Sequence, residues 1–187
     1  MAVEELHRAF FHSLHTERLF LRPLILEDAE AMFAYTSLPE SFRFLRREHH
    51  QSIEEDRTFI ENVLEGYRLN REFIWGICLG ESNQVIGTCR IFDILPEEGS
   101  CEVSYLIHPS FQGQGIASES VGRLIRYAFE ELNLQRVLAR CAAENTGSER
   151  VMQKCGMTKT GTLLHCTEMK GVLWDFHLYN IQRNGDT

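Results

Sequence analysis

The 187-residue sequence lacks any long apolar run, although 43% of its residues are hydrophobic. No segment approaches the roughly 18 consecutive apolar residues that a membrane-spanning helix needs. Charged residues such as Glu4 and Arg8 occupy the N-terminus, where a secretory signal would have a clean apolar stretch. The sequence therefore predicts a cytoplasmic protein without a membrane partner. Its length suits one core, so we interpret residues 1–187 as a single domain, with 1–14 and 183–187 as candidate frayed ends.

Closely spaced cysteine pairs are also missing. The six cysteines include no Cys-x-x-Cys motif, and most of them lie beside apolar residues in strand-like runs. This pattern predicts buried thiols and argues against a disulfide or zinc framework. The adjacent His49 and His50 have no partner at a metal-ligand spacing nearby, so no metal site is predicted.

A basic surface is absent as well, because 27 acidic residues outnumber 19 basic ones and the formal net charge is −8. Nucleic acids bind to basic faces, so no nucleic-acid partner is expected. The acidic balance suits a cationic substrate, and it serves solubility alone equally well. No internal repeat or low-complexity segment interrupts the chain.

What the sequence does contain is a glycine-rich segment at residues 112–117. The preceding run, 101–107, is rich in β-branched and aromatic residues and stops at Pro109, as a strand would. Apolar residues then recur at helical spacing over 116–132, so the glycines precede the first turn of a helix. Unpartnered amides and the helix dipole favour a bound pyrophosphate there. A glycine-rich turn without a ligand is the alternative.

Two familiar phosphate loops fit this segment poorly. A Walker loop ends in Gly-Lys-Ser/Thr, and no such triplet follows Gly115. A Rossmann fingerprint would place its third glycine at Ser118 and would usually open the chain, whereas this motif lies past the midpoint. The segment is therefore better explained by a different kind of pyrophosphate loop.

The segment resembles the acyl-coenzyme A pyrophosphate loop of the GNAT acetyltransferases, Gln/Arg-x-x-Gly-x-Gly/Ala, through Gln112, Gly115 and Ala117. Residues 102–119 resemble the RimJ/RimL-type branch, which acetylates the N-termini of ribosomal proteins. A second block, 145–157, is similar to the family's Asn-x-x-Ser-x-x-Val/Leu-x-x-Lys-x-Gly-Phe pattern. The two blocks occur in the family's order, which strengthens the resemblance.

The resemblance extends over about residues 16–182, because 16–23 also match the family's first strand, Thr-x-Arg-Leu-x-Leu-Arg. The residues by themselves predict an α+β arrangement, a mixed sheet with interleaved helices. The resemblance implies the GNAT fold, with a mostly antiparallel twisted sheet of about seven strands, splayed at the cofactor cleft and flanked by about four helices.

The resemblance also implies acetyl-coenzyme A (acetyl-CoA) as the co-substrate. Backbone groups of Leu106, Ile107 and His108 would bind its pantetheine arm and polarise the thioester carbonyl. Asn145 would cap the late helix and touch pantetheine, with Ser148 beside it. The pyrophosphate would lie on the N–H groups of six loop residues, Gln112, Gly113, Gln114, Gly115, Ile116 and Ala117.

Two side chains are candidates for catalysis. Glu102 is the leading general base, because Rim-type sequences carry a glutamate here and burial would raise its pKa. A glutamate on the exposed face of a strand is the alternative. Many GNAT enzymes protonate the leaving thiolate with a tyrosine, but Met152 stands at that position. Ser148 therefore becomes the candidate acid, or else a small residue packed near the cofactor.

The acceptor is predicted less specifically. An N-acetyltransferase acting on a protein or peptide N-terminus is favoured, followed by small amines such as polyamines or antibiotics. Because the tyrosine is missing, a coenzyme A-binding sensor or partner module is the alternative, and transfer of a longer acyl chain is a third. Ser104, in place of the family's usual glycine, is expected to narrow the acceptor channel. The sequence leaves monomer and homodimer open.

Overall fold

A computed structural model describes residues 11–69 and 72–183. Those ranges contain eight strands and four α-helices, which confirms the predicted α+β arrangement, and the sheet has one strand more than the about seven that the resemblance implied. The strands are β1 (Leu14–His15), β2 (Leu19–Arg22), β3 (Phe73–Leu79), β4 (Val85–Leu95), β5 (Ser100–Ile107), β6 (Arg136–Ala142), β7 (Thr158–Met169) and β8 (Val172–Gln182). The helices are α1 (Ala29–Thr36), α2 (Ile53–Leu69), α3 (Ile116–Glu130) and α4 (Thr146–Lys154). None of these four helices is long and apolar enough to cross a bilayer.

The strands form one sheet in the order β1-β2-β3-β4-β5-β6-β8-β7. Neighbouring strands run antiparallel except β5 and β6, which are parallel. Because side chains alternate across a strand, the sheet presents two faces. Val103 and Ile107 of β5 lie in the apolar core shared with α3 and α4, which we call the α3–α4 face. Leu106 packs with the core residues of α1 and α2 on the other side, the α1–α2 face.

The sequence signals around the two helices of the α3–α4 face are confirmed. The strand before the glycines ends at Ile107, and α3 begins at Ile116, directly after Gly115. The Asn145 side chain accepts a hydrogen bond from the Ser148 N–H and so caps α4. Gly156, just past the end of α4, has a φ of +77°, a conformation that favours glycine.

The predicted frayed ends need correction where the structure describes them. Leu14 is only 1% exposed and pairs with β2, and the Phe11 ring lies 5.0 Å from the ring of Trp75. At the other end, the Arg183 N–H donates to the Gln135 carbonyl at 2.9 Å. Buried apolar area and satisfied backbone groups therefore hold residues 11–14 and Arg183 in place. Residues 1–10 and 184–187 lie outside the described ranges.

Candidate active site

The parallel strands β5 and β6 pair only where they begin. Ser100, Cys101 and Glu102 lie opposite Arg136, Val137 and Leu138. Beyond Glu102, β5 runs on to Ile107 and β6 to Ala142 with no further pairing between them. The two strands thus diverge and leave an opening in the sheet, which we call the gap. This is the splayed sheet that the resemblance implied.

The alternation of antiparallel hydrogen bonds decides which backbone groups of β5 face the gap. The His108 N–H donates to the Ile86 carbonyl at 2.9 Å, just beyond the β4–β5 ladder. The even-numbered residues of β5 therefore direct their N–H and C=O groups toward β4. Val103, Tyr105 and Ile107 direct theirs into the gap.

This register corrects two of the three predicted pantetheine contacts. The backbone of Leu106 faces β4, and both backbone groups of His108 are engaged, since its carbonyl also accepts from the Phe111 N–H at 2.9 Å. Ile107 faces the gap as expected. Val103 and Tyr105, which the sequence analysis did not name, also direct backbone groups into the gap. Backbone groups alternate along a strand with a period of two, so the sequence indicates that Val103, Tyr105 and Ile107 share one side. Only the pairing of β5 with β4 shows that this side faces the gap.

The glycine-rich loop presents a row of backbone donors. Gly113 and Gly115 have φ values of +75° and +82°, which L-residues with side chains rarely adopt. Among the described residues, no acceptor is found for the N–H groups of Gly113, Gln114 and Gly115. The N–H groups of Ile116 and Ala117, in the first turn of α3, have no partner within the helix. These donors and the dipole of α3 fit the pyrophosphate of a coenzyme A.

Gln112 stabilises the loop through its own hydrogen bonds, and its N–H is not one of the available donors. Its N–H donates to the Pro109 carbonyl at 3.1 Å. Its side-chain Nε2 donates to the Ile107 carbonyl, at the mouth of the gap, at 3.0 Å. The prediction that the Gln112 N–H binds phosphate is therefore corrected, because a turn within the loop already uses that N–H.

Glu102 lies on the α1–α2 face at the point where the gap opens. Its side chain is 14% exposed, and Arg140 Nε donates to its Oε1 at 2.9 Å. Burial raises the pKa of Glu102 above the ordinary value, and the neighbouring Arg140 opposes that rise. The carboxylate is thus half-buried and shielded, unlike the exposed strand residue of the alternative interpretation.

Ser148 is held on the opposite side of the sheet. Its Oγ lies 2.9 Å from the Tyr105 hydroxyl, which projects from β5 on the α3–α4 face. Burial raises the pKa of Tyr105 to about 12, with the Ser148 hydrogen bond acting against the rise, so this phenol stays protonated at neutral pH. Met152 is only 3% exposed and belongs to the core. The sequence analysis named Ser148 but missed the side chain of Tyr105.

On the α1–α2 face, further contacts join β4 to β5 and join the β7–β8 hairpin to the chain between α1 and α2. Arg90 Nε donates to Ser104 Oγ at 2.8 Å. The Trp174 ring of β8 meets the Phe44 ring edge-on, with the centroids 5.7 Å apart. Lys170, between β7 and β8, donates from Nζ to the Phe42 carbonyl at 3.1 Å. The β7–β8 hairpin is thereby attached to the segment that joins α1 and α2.

The fold agrees with what similar proteins show. The family profile described as acetyltransferase (GNAT) domain matches residues 18–158, and the chain belongs to that family. It is therefore a GNAT N-acetyltransferase, and its co-substrate is acetyl-CoA.

Individual relatives agree over nearly the whole chain. An uncharacterized N-acetyltransferase, p20, of Bacillus licheniformis is 35% identical over 173 residues, which span 90% of this chain and 95% of that protein. The crystal structure of a GNAT-family acetyltransferase from Bacillus anthracis, 27% identical, superposes with a TM-score of 0.82 over 91% of this chain and 98% of its own. The microcin C7 self-immunity acetyltransferase MccE, solved in complex with acetyl-CoA and AMP, shares the fold with a TM-score of 0.81 at 19% identity, over 90% and 94% of the two chains.

Proposed function

We propose that this chain is a single-domain, cytoplasmic enzyme that transfers an acetyl group from acetyl-CoA to a primary amine, most specifically the N-terminal α-amine of a protein or peptide. The observation that carries the proposal is the gap between β5 and β6, which lies between a half-buried carboxylate on one face of the sheet and a hydroxyl pair on the other. A thioester in that gap is open to an amine arriving from the Glu102 side. Cysteine side chains that remain free thiols support a reducing compartment.

The gap orients the thioester through backbone groups. In this proposal Val103, Tyr105 and Ile107 line the pantetheine arm, while the loop N–H groups from Gly113 to Ala117 hold the pyrophosphate. This arrangement brings the two reactants together without a covalent intermediate on the enzyme, so that proximity supplies much of the rate. Asn145 contributes by keeping the first turn of α4, and with it Ser148, at the gap.

The transfer needs one proton acceptor and one hydrogen-bond donor. The amine nitrogen attacks the thioester carbonyl carbon, the new C–N bond forms, and the C–S bond breaks. Glu102 accepts the proton that the amine loses, directly or through a water molecule. Ser148 donates a hydrogen bond to the departing thiolate sulfur, and Tyr105, whose hydroxyl lies 2.9 Å away, holds the Ser148 hydroxyl for that role.

The acceptor class rests on the resemblance of residues 102–119 to the Rim-type branch and on the contacts of the α1–α2 face. The attachment of the β7–β8 hairpin through Lys170 and through Trp174 against Phe44 favours a slender acceptor, such as an extended N-terminus. A small amine, such as a polyamine or an amine antibiotic, is the second candidate. A longer acyl group would need room near Leu106 and Phe92.

The test is a thiol-release assay with acetyl-CoA and three acceptor sets: N-terminal peptides with a free α-amine, the same peptides with a blocked α-amine and a free lysine, and small polyamines. We expect turnover with the first set only. Turnover confined to the polyamines would replace the peptide acceptor with a small amine. Hydrolysis-level release with all three sets, together with coenzyme A binding in calorimetry, would favour the sensor or partner module.

A further inference from the structure

The segment between β1 and β2 is tied to the first turn of α3 through a single carboxylate, Glu119. Thr16 Oγ1 donates to Glu119 Oε1 at 2.5 Å, and the Arg18 N–H donates to the same oxygen at 3.0 Å. Arg18 Nε donates to Oε2 at 2.7 Å, and Nη2 lies 2.6 Å from it. Both carboxylate oxygens are thus held, one of them by the fork of a guanidinium. We call Thr16, Arg18 and Glu119 the Arg18 clamp.

The clamp also reaches the glycine-rich loop. Arg18 Nη1 donates to the Gln114 carbonyl at 3.2 Å. In a trans peptide the C=O and the following N–H point in opposite directions, and no described peptide bond is cis. With the Gln114 carbonyl turned toward Arg18, the Gly115 N–H points away from Arg18. A methyl group at Gly115 would lie 3.4 Å from Arg18 Nη2, so the guanidinium packs directly against this residue.

The charge of Glu119 makes the clamp relevant to an anionic ligand. A carboxylate in the first turn of α3 suits the helix dipole, but it lies near the N–H groups that we assign to pyrophosphate and would repel the phosphates. Its ion pair with Arg18 cancels that charge locally. Burial alone would raise the pKa of Glu119, but the hydrogen bonds from Thr16 and Arg18 outweigh it and lower the pKa, so the Glu119 carboxylate stays ionised at neutral pH.

We propose that Arg18 is a positioning residue for the pyrophosphate loop: it aims the Gly115 N–H at the pyrophosphate of coenzyme A and neutralises Glu119 beside it. This role rests on the proposed coenzyme A site. It goes beyond that site because Arg18 lies about a hundred positions before α3 in the chain and outside the Gln112–Ala117 motif. Arg18 acts through the loop backbone and through Glu119, without a contact to the reacting atoms.

The role predicts a dependence on the pyrophosphate itself. We compare kcat and KM for acetyl-CoA with those for S-acetylpantetheine, which carries the thioester but no pyrophosphate. Arg18→Ala should raise the KM for acetyl-CoA about tenfold while leaving kcat within about twofold, because charge-assisted contacts to the loop are lost and the reacting atoms are untouched. The kcat/KM for S-acetylpantetheine should be the same in the variant and the wild type.

Two further variants separate this role from a general effect on folding. Arg18→Lys keeps the charge but loses the planar fork, so its KM for acetyl-CoA should fall between those of the wild type and Arg18→Ala. Arg126→Ala removes an exposed arginine of α3 that lies away from the loop. The kcat and KM for both thioesters should be unchanged in this variant. If Arg18→Ala is poorly folded by circular dichroism, the Lys variant carries the test.

The outcomes separate this proposal from the proposed function. An equal loss with both thioesters, or an unchanged KM for acetyl-CoA, would overturn the positioning role while coenzyme A binding stands. If wild-type protein binds coenzyme A in calorimetry but transfers no acetyl group, the transfer activity fails, and the ratio of coenzyme A Kd values between Arg18→Ala and wild type still decides the role. Absence of coenzyme A binding by the wild type would overturn both.

Discussion

The hydroxyl groups of Tyr105 and Ser148 lie 2.9 Å apart, where one projects from β5 and the other stands in the first turn of α4. This pair connects the strand at the edge of the gap to the helix whose N-terminus faces it. The usual tyrosine position is taken by the buried Met152, so the pair supplies the hydroxyl groups that the proposed transfer requires.

Removing either hydroxyl should slow the chemical step. Ser148→Ala should lower kcat about 100-fold, because the thiolate then leaves without its hydrogen-bond donor. Tyr105→Phe should cost roughly tenfold or less, since it removes one hydrogen bond that orients Ser148. Pre-steady-state measurement of thiol release checks both values. The double variant tests whether the two residues act together. If Tyr105→Phe lowers kcat by the same factor in the Ser148→Ala variant as in the wild type, Tyr105 does not act through Ser148.

Glu102→Gln should remove the acidic limb of the activity profile. The base must be ionised, and the pKa of Glu102 is raised by burial, so wild-type kcat should fall as the pH drops toward that raised pKa. The Gln variant should turn over about 100-fold more slowly, with the acidic limb gone and the affinity for coenzyme A unchanged. Glu81→Gln, an exposed change in the β3–β4 turn, should retain the wild-type profile. Equal turnover of Glu102→Gln and wild type across pH would remove Glu102 from the mechanism.

Alanine scanning of three glycines should separate backbone strain from loop function. Gly113→Ala and Gly115→Ala place a side chain at a φ near +80°, which costs about 1–2 kcal/mol, and the second also crowds Arg18. Both should weaken coenzyme A binding in calorimetry, Gly115→Ala more strongly. Gly122→Ala, inside α3 with open space around the new methyl group, should stabilise the protein by about 0.5–1 kcal/mol and leave binding unchanged. Equal binding by all three would argue against pyrophosphate on this loop.

Ser104→Gly should affect the acceptor more than the cofactor. The change removes the hydroxyl that accepts from Arg90 Nε at 2.8 Å on the α1–α2 face, and it frees Arg90 to move. The KM for the acceptor should change roughly three- to tenfold, while the KM for acetyl-CoA stays constant. Steady-state kinetics with each substrate varied in turn provides the measurement. A changed acetyl-CoA KM with a constant acceptor KM would place Ser104 on the cofactor side.

Most of the fold could be predicted from local patterns in the sequence. The end of the strand before the glycines, the start of the helix after them and the helix cap at Asn145 depend on neighbours a few residues apart, and the structure confirms them. The β3–β4 and β7–β8 hairpins likewise pair strands that are adjacent in the chain. The short strand β1 was missed because two residues, Leu14 and His15, carry no periodic pattern, and only pairing with β2 makes them a strand.

The sequence by itself identified the co-substrate, since the glycine-rich segment at 112–117 and the block at 145–157 together resemble the GNAT family in the family's order. Only the tertiary structure decided which groups face the gap. The register between β4 and β5 turned Val103 and Tyr105, in place of Leu106, toward the gap, and the packing of α4 brought Ser148 to Tyr105. Arg18 reaches the loop for the same reason, because contacts between residues about a hundred positions apart depend on strand order and helix packing. Strand order and helix packing leave no local pattern in the sequence.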